Sequence, residues 1–123
     1  MIWKETTTLS LKYFKRNEFD CSHTGLNEMD MNFLNRLDKL RELCGFSFTI
    51  TSGYRDKSHP VEVDKAVGGQ HTLGIAADIK VTSAALRYIL LEQALLMGFT
   101  GIGVAKGFIH VDDRAGIPVV WSY

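Results

Sequence analysis

His71 and Asp78 lie in the run His-Thr-Leu-Gly-Ile-Ala-Ala-Asp, and His110 and Asp112 follow in Phe-Ile-His-Val-Asp. Imidazole and carboxylate are donor types of a catalytic zinc site, which needs three protein ligands and one open position. Asp78 falls inside an otherwise apolar stretch, where an unpaired carboxylate is costly to bury. A metal offsets that cost; so does an arginine partner or a set of backbone N–H donors. His110 meets the same problem between Ile109 and Val111. Buried histidines are also common as hydrogen-bonded core residues, and His71 in a glycine-containing loop can simply face water. If the stretches around Asp78 and His110 are adjacent antiparallel strands, the two side chains meet, and His71 reaches them from the loop.

Strand geometry adds one constraint. His110 and Asp112 are two residues apart, so both point to one face, and Asp113 points to the other. Asp112 is then placed as a general base or as an orienter of a ligand; a salt bridge to Arg114 is the plainer role. Arg55 follows Ser52-Gly-Tyr, where a guanidinium suits bidentate capture of a carboxylate. A salt bridge to Asp56 or Glu62 serves equally. His59 is a candidate substrate contact or a solvated loop histidine. His23 lies two residues from Cys21, a poor zinc-finger spacing, and reads as structural. Gly98, Gly101, Gly103 and Gly107 do not open a helix after a strand, so nucleotide-binding loops fail on context. Gly-x-Ser-x-Gly is absent, and neither cysteine has a histidine at a catalytic spacing.

These groups need elements to position them. Residues 28–44 predict a helix, with Phe33, Leu34, Leu37, Leu40 and Cys44 on one stripe and Gly45 as its stop. Residues 46–52 alternate and predict a half-buried strand. Residues 53–73 form a long polar loop, a length that usually signals function or disorder. A strand over 75–81 and a helix over 83–97 follow, the helix burying Leu86, Ile89, Leu90, Ala94 and Met97 and stopping at Gly98. Strands over 101–105 and 107–112 predict a hairpin around Ala105-Lys106-Gly107, before short C-terminal strands. Residues 1–27 read as irregular, anchored by Phe14, Phe19 and Cys21. Turns this short after the last helix favour an α+β fold with an antiparallel sheet packed with two main helices.

The chain has 123 residues, 14 Lys+Arg and 14 Asp+Glu, so its formal charge is zero. That balance argues against a nucleic-acid binder. No run approaches the roughly 18 apolar residues of a membrane span, and the first residues lack the apolar core of a signal peptide. The expectation is one domain over 1–123, monomeric, made in the cytoplasm without an export signal. Cys21 and Cys44 are expected as buried free thiols, since two cysteines make no disulfide scaffold.

One family carries these motifs together. Ser52-Gly-Tyr-Arg55, Val67-Gly-Gly-Gln-His71-Thr-x-Gly-x-Ala-Ala-Asp78-Ile, Gly101-Ile-Gly-Val and Phe108-Ile-His110-Val-Asp112-x-Arg114 closely resemble the zinc D-Ala-D-Ala carboxypeptidases and related peptidoglycan endopeptidases. The likeness spans roughly residues 14–116 and is nearest to small bacterial and phage members. It implies a hedgehog/DD-peptidase fold, with Zn2+ on His71, Asp78 and His110. Arg55 then binds a substrate carboxylate, and the substrate is a peptidoglycan stem peptide; Gln70 and His59 are expected as further substrate contacts on their own placement. Two positions depart from the pattern. Gly69 stands where many members have serine, and Gly107 where many have the acidic base. Asp112 is the nearest carboxylate on the matching face. A chain without an export signal fits a phage lysin or a virion component acting on the wall after release. The alternatives are an inactive cell-wall or phage module that binds stem peptides, and a hedgehog-type regulatory domain with structural zinc.

Overall fold

The computed structural model describes residues 11–62 and 69–123. Helix α1 spans Met31–Cys44. It starts three residues later than its periodicity suggests, because Asp30 caps it: the carboxylate accepts the Phe33 N–H at 2.9 Å. Asp30 also donates its own N–H to the Gly74 carbonyl at 2.9 Å, which keeps the chain extended up to the cap. Phe33, Leu34, Leu37 and Leu40 are fully buried. Each contributes about 1.5–3 kcal/mol and the cap about 1 kcal/mol. Burial therefore holds the helix, and the cap sets where it begins. Gly45 closes it in the left-handed conformation, φ 77°.

Strand β1 (Thr49–Ser52) is shorter than the predicted 46–52. The aromatic pair Phe46 and Phe48 precedes it, with ring centroids 5.2 Å apart. Strand β2 (Ala76–Lys80) is buried over its first four residues. Helix α2 (Ala84–Met97) begins at Ser83, whose hydroxyl accepts the Leu86 N–H at 3.3 Å, and buries Leu90 and Ala94. Strands β3 (Gly101–Val104), β4 (Phe108–Asp112) and β5 (Val119–Ser122) complete one sheet in the order β1-β2-β4-β3-β5. With two helices beside this sheet, the fold is α+β, as expected.

Three of the four strand pairings are antiparallel, as expected, but β5 lies parallel to β3. No long crossover is required for this. The chain leaves β4, passes the end of β3 and returns on its far side. It therefore runs antiparallel to β4 and parallel to β3. Both free cysteines are present; Cys21 is buried and Cys44 half-buried. No helix of the described residues is long and apolar enough to cross a membrane.

The registers align one row of residues across all five strands. Ser52 faces Asp78, Asp78 faces His110, His110 faces Gly103, and Gly103 faces Trp121. A shift in the β1 register between Ile50 and Ser52 is what brings Ser52 opposite Asp78. A second row places Asp112 against Gly101. Of the groups singled out in the sequence, Asp78, His110 and Asp112 sit on these two rows.

Candidate metal centre

Asp78 and His110 are direct neighbours on β2 and β4, and Asp78 Oδ1 lies 2.9 Å from His110 Nδ1. His71 comes from a 3-10 turn over Gln70–Leu73. That turn ends at Gly74, φ 74°, where a side chain would collide with the Glu28 carbonyl. The tight passage sets the His71 ring against the sheet. His71 Nδ1 lies 2.8 Å from the Gly53 carbonyl oxygen. A carbonyl only accepts, so Nδ1 donates and Nε2 is the nitrogen turned to Asp78, at 3.3 Å from Oδ1.

His71 Nε2, Asp78 Oδ1 and His110 Nδ1 are buried donors that lie within 4.8 Å of one another. Ligands 2.0–2.1 Å from a tetrahedral zinc stand about 3.3 Å apart. The 2.9 and 3.3 Å separations approach that figure, and a two-histidine, one-carboxylate set suits zinc chemically. The residues present therefore fit the metal.

Electrostatics agree with a site built for charge. Burial pushes the Asp78 carboxyl up, but hydrogen bonds from His110 and His71 outweigh it and hold it well below the usual carboxylate range. Burial pushes His110 down, and its bonds to Asp112 and Asp78 reverse that, leaving it raised.

Arg55 borders the same cleft, whose volume is about 410 Å³. Its guanidinium meets Glu62 at 3.2 Å and Asp78 Oδ2 at 3.6 Å, and its Nε donates to Ser52 Oγ at 3.1 Å. Of the two roles read from the sequence, the salt bridge to Glu62 is present, and Arg55 also lines the cleft. Gln70 also lines the cleft. His59 is not among the lining residues. Its Nδ1 accepts the Val61 N–H, its Nε2 contacts Ser22 Oγ at 3.2 Å, and its ring lies against His23.

Asp112 is fully buried and lies across the His110 ring from the cluster. Its Oδ2 is 2.6 Å from His110 Nε2. Arg114 takes both oxygens, through Nε at 3.0 Å to Oδ1 and Nη2 at 2.7 Å to Oδ2. Burial raises the Asp112 carboxyl, and the His110 and Arg114 bonds bring it well below the usual range. Of the two roles open in the sequence, this geometry favours orienting His110 over receiving a proton from the cleft. Around Gly107 a side chain would meet open space.

Sequence reasoning expected C-terminal strands but missed that the last one borders the site. Tyr123 borders the cleft, with its ring 5.1 Å from that of Phe108. Trp121 packs 5.2 Å from His110 and under the Arg114 guanidinium at 4.8 Å. Their two-residue spacing was a visible signal, but their target depended on which strand β5 joins.

Residues 12–112 match the family described as Peptidase M15. The match contains Arg55, the three donors and Asp112, and ends before Arg114, Trp121 and Tyr123. No curated protein matches the chain.

Proposed function

The chain belongs to the peptidase M15 family, and so to the zinc metallopeptidases; on that premise we propose that it hydrolyses an amide bond in the peptide stem or cross-bridge of bacterial peptidoglycan. The observation that carries this reading is the set of three buried donors beside an arginine on one cleft. His71 through Nε2, Asp78 through Oδ1 and His110 through Nδ1 are the proposed zinc ligands. Zinc held there supplies Lewis acidity, polarising a carbonyl and lowering the pKa of water toward about 7.

The protein's own groups do the rest. Arg55, anchored by Ser52 and Glu62, offers its cleft-facing edge to a stem-peptide carboxylate. Gln70 stands beside it as a substrate contact. Glu62 is the remaining carboxylate among the described residues that line the cleft. Its side chain is 1% exposed and bridged to Asp78 through Arg55. In this reading Glu62 accepts the proton from water and returns it to the leaving amine, the work that Gly107 cannot do.

A second reading is a module that binds stem peptides without turnover. The open space at Gly107 and the inward position of Asp112 favour it. One experiment separates the two. Zinc-loaded protein is incubated with purified sacculi, and the soluble products are identified by mass spectrometry. New amine and carboxylate termini, lost with EDTA and restored by zinc, are the expected result. Intact stems after incubation with protein that demonstrably holds zinc overturn the peptidase reading.

A further inference from the structure

The Gly101-Ile-Gly103 strand fits no phosphate-binding loop, and the proposed reaction makes no use of it. Its geometry gives it another purpose. Gly101 faces Asp112 across the β3–β4 pairing, and a side chain at 101 would collide with the Asp112 carboxylate. Gly103 faces His110 on one side and Trp121 on the other, and a Cβ there would stand 2.7 Å from the indole. The two glycines open the space in which a carboxylate and an indole flank one imidazole.

The flanking groups close on themselves. His110 Nε2 meets Asp112 Oδ2 at 2.6 Å. Asp112 is held by the Arg114 backbone N–H and by the guanidinium, all at 2.7–3.2 Å. The guanidinium stacks on Trp121, and Trp121 packs against His110. A carboxylate with no exposure is costly unless paired; Arg114 supplies the countercharge and leaves Asp112 one fixed direction in which to accept.

We propose that Asp112, Arg114 and Trp121 form a bracket that fixes the His110 ring with Nε2–H donated to Asp112, leaving Nδ1 as the nitrogen that faces His71 and Asp78. These are positioning residues: they act through His110 and lack a role in bond cleavage. A carboxylate only accepts, so the contact to Asp112 requires a proton on Nε2. The pattern is a carboxylate–histidine–metal relay, in which losing the carboxylate lowers metal affinity roughly 10- to 100-fold. Two of the three bracket residues, Arg114 and Trp121, lie beyond the stretch matched by the family. The part of this inference that concerns zinc rests on the proposed ligand set; the ring orientation does not.

The test uses the full chain and two readouts. Nitrogen-15 NMR of the His110 ring reports which nitrogen carries a proton, first in metal-free protein and then with zinc. Zinc affinity is measured against a competing chelator for wild type and Asp112→Asn, since the amide loses the charge and turns its NH2 toward a donor, His110 Nε2 or Arg114, that a carboxylate oxygen now accepts from. The expected result is a protonated Nε2 in both states, and zinc held roughly 10- to 100-fold more weakly by folded Asp112→Asn. An unprotonated Nε2 in wild type, or wild-type zinc affinity in folded Asp112→Asn, overturns the proposal. If Asp112→Asn does not fold, Arg114→Gln takes its place, because that side chain is 26% exposed; unchanged zinc affinity there overturns it equally. Wild type that binds no zinc defeats the proposed ligand set, while the metal-free spectrum still decides the ring orientation.

Discussion

Gly103→Ala tests the cross-strand row most sharply. The added methyl would stand 2.7 Å from Trp121 Cε2 and 2.8 Å from Cζ2 and Nε1, where ordinary contact begins at 3.4 Å. The indole must recede by about 0.7 Å, and overpacking of this kind costs about 1–3 kcal/mol. Alanine at a position without positive φ returns about 0.4–1 kcal/mol through the unfolded state. The net expectation is a loss of about 0.5–2 kcal/mol, or about 2–8 °C in Tm at this length. Gly107→Ala is the control, since a Cβ there meets nothing within 4 Å; with only the unfolded-state gain, its Tm should hold or rise by up to about 4 °C. The assay is thermal unfolding of both variants, repeated in a Trp121→Ala background. If the indole is the obstacle, the Gly103→Ala penalty disappears there, a coupling of about 1–3 kcal/mol. An equal penalty with and without the indole refutes the packing argument.

Other expectations follow from single contacts. Glu62→Gln should lower kcat about 100-fold or more while leaving zinc content unchanged; steady-state kinetics on a stem peptide checks this, and an unaltered kcat removes Glu62 from the mechanism. Asp30→Ala removes the acceptor for the Phe33 N–H and should cost about 1 kcal/mol in denaturant unfolding. Burial raises the Cys44 thiol to about 11, from an ordinary 9.0. At pH 8 its alkylation should therefore run roughly 100-fold slower than that of an unperturbed thiol, read by mass spectrometry. The sign for stability follows: a raised folded value contributes stability fully present below about 9 and lost as pH climbs toward about 11.

The meeting of His71, Asp78 and His110 was legible because its signal is local. Donor types sit inside apolar runs, and a period of two or a short loop fixes the face each one shows. Asp78 and His110 needed only adjacent antiparallel strands to meet, and β2 and β4 are such a pair. Helix boundaries shifted where a cap competed with periodicity, as at Asp30. The bracket around His110 was not legible. Asp112 could be assigned to the metal-facing side of its strand, but not to the far edge of the imidazole. Trp121 and Tyr123 alternate plainly, yet their place depends on β5 passing β3 to pair on its outer edge. Glu62 lies in a polar loop without periodicity; only the fold of that loop brings it to Arg55.

His71, Asp78 and His110 are proposed to hold one zinc ion. Equilibrium dialysis against zinc, followed by elemental mass spectrometry, measures it directly in wild type and His71→Ala. About one zinc per chain in wild type and none above background in folded His71→Ala is the predicted result. Equal zinc in both proteins, or none in wild type, would contradict it.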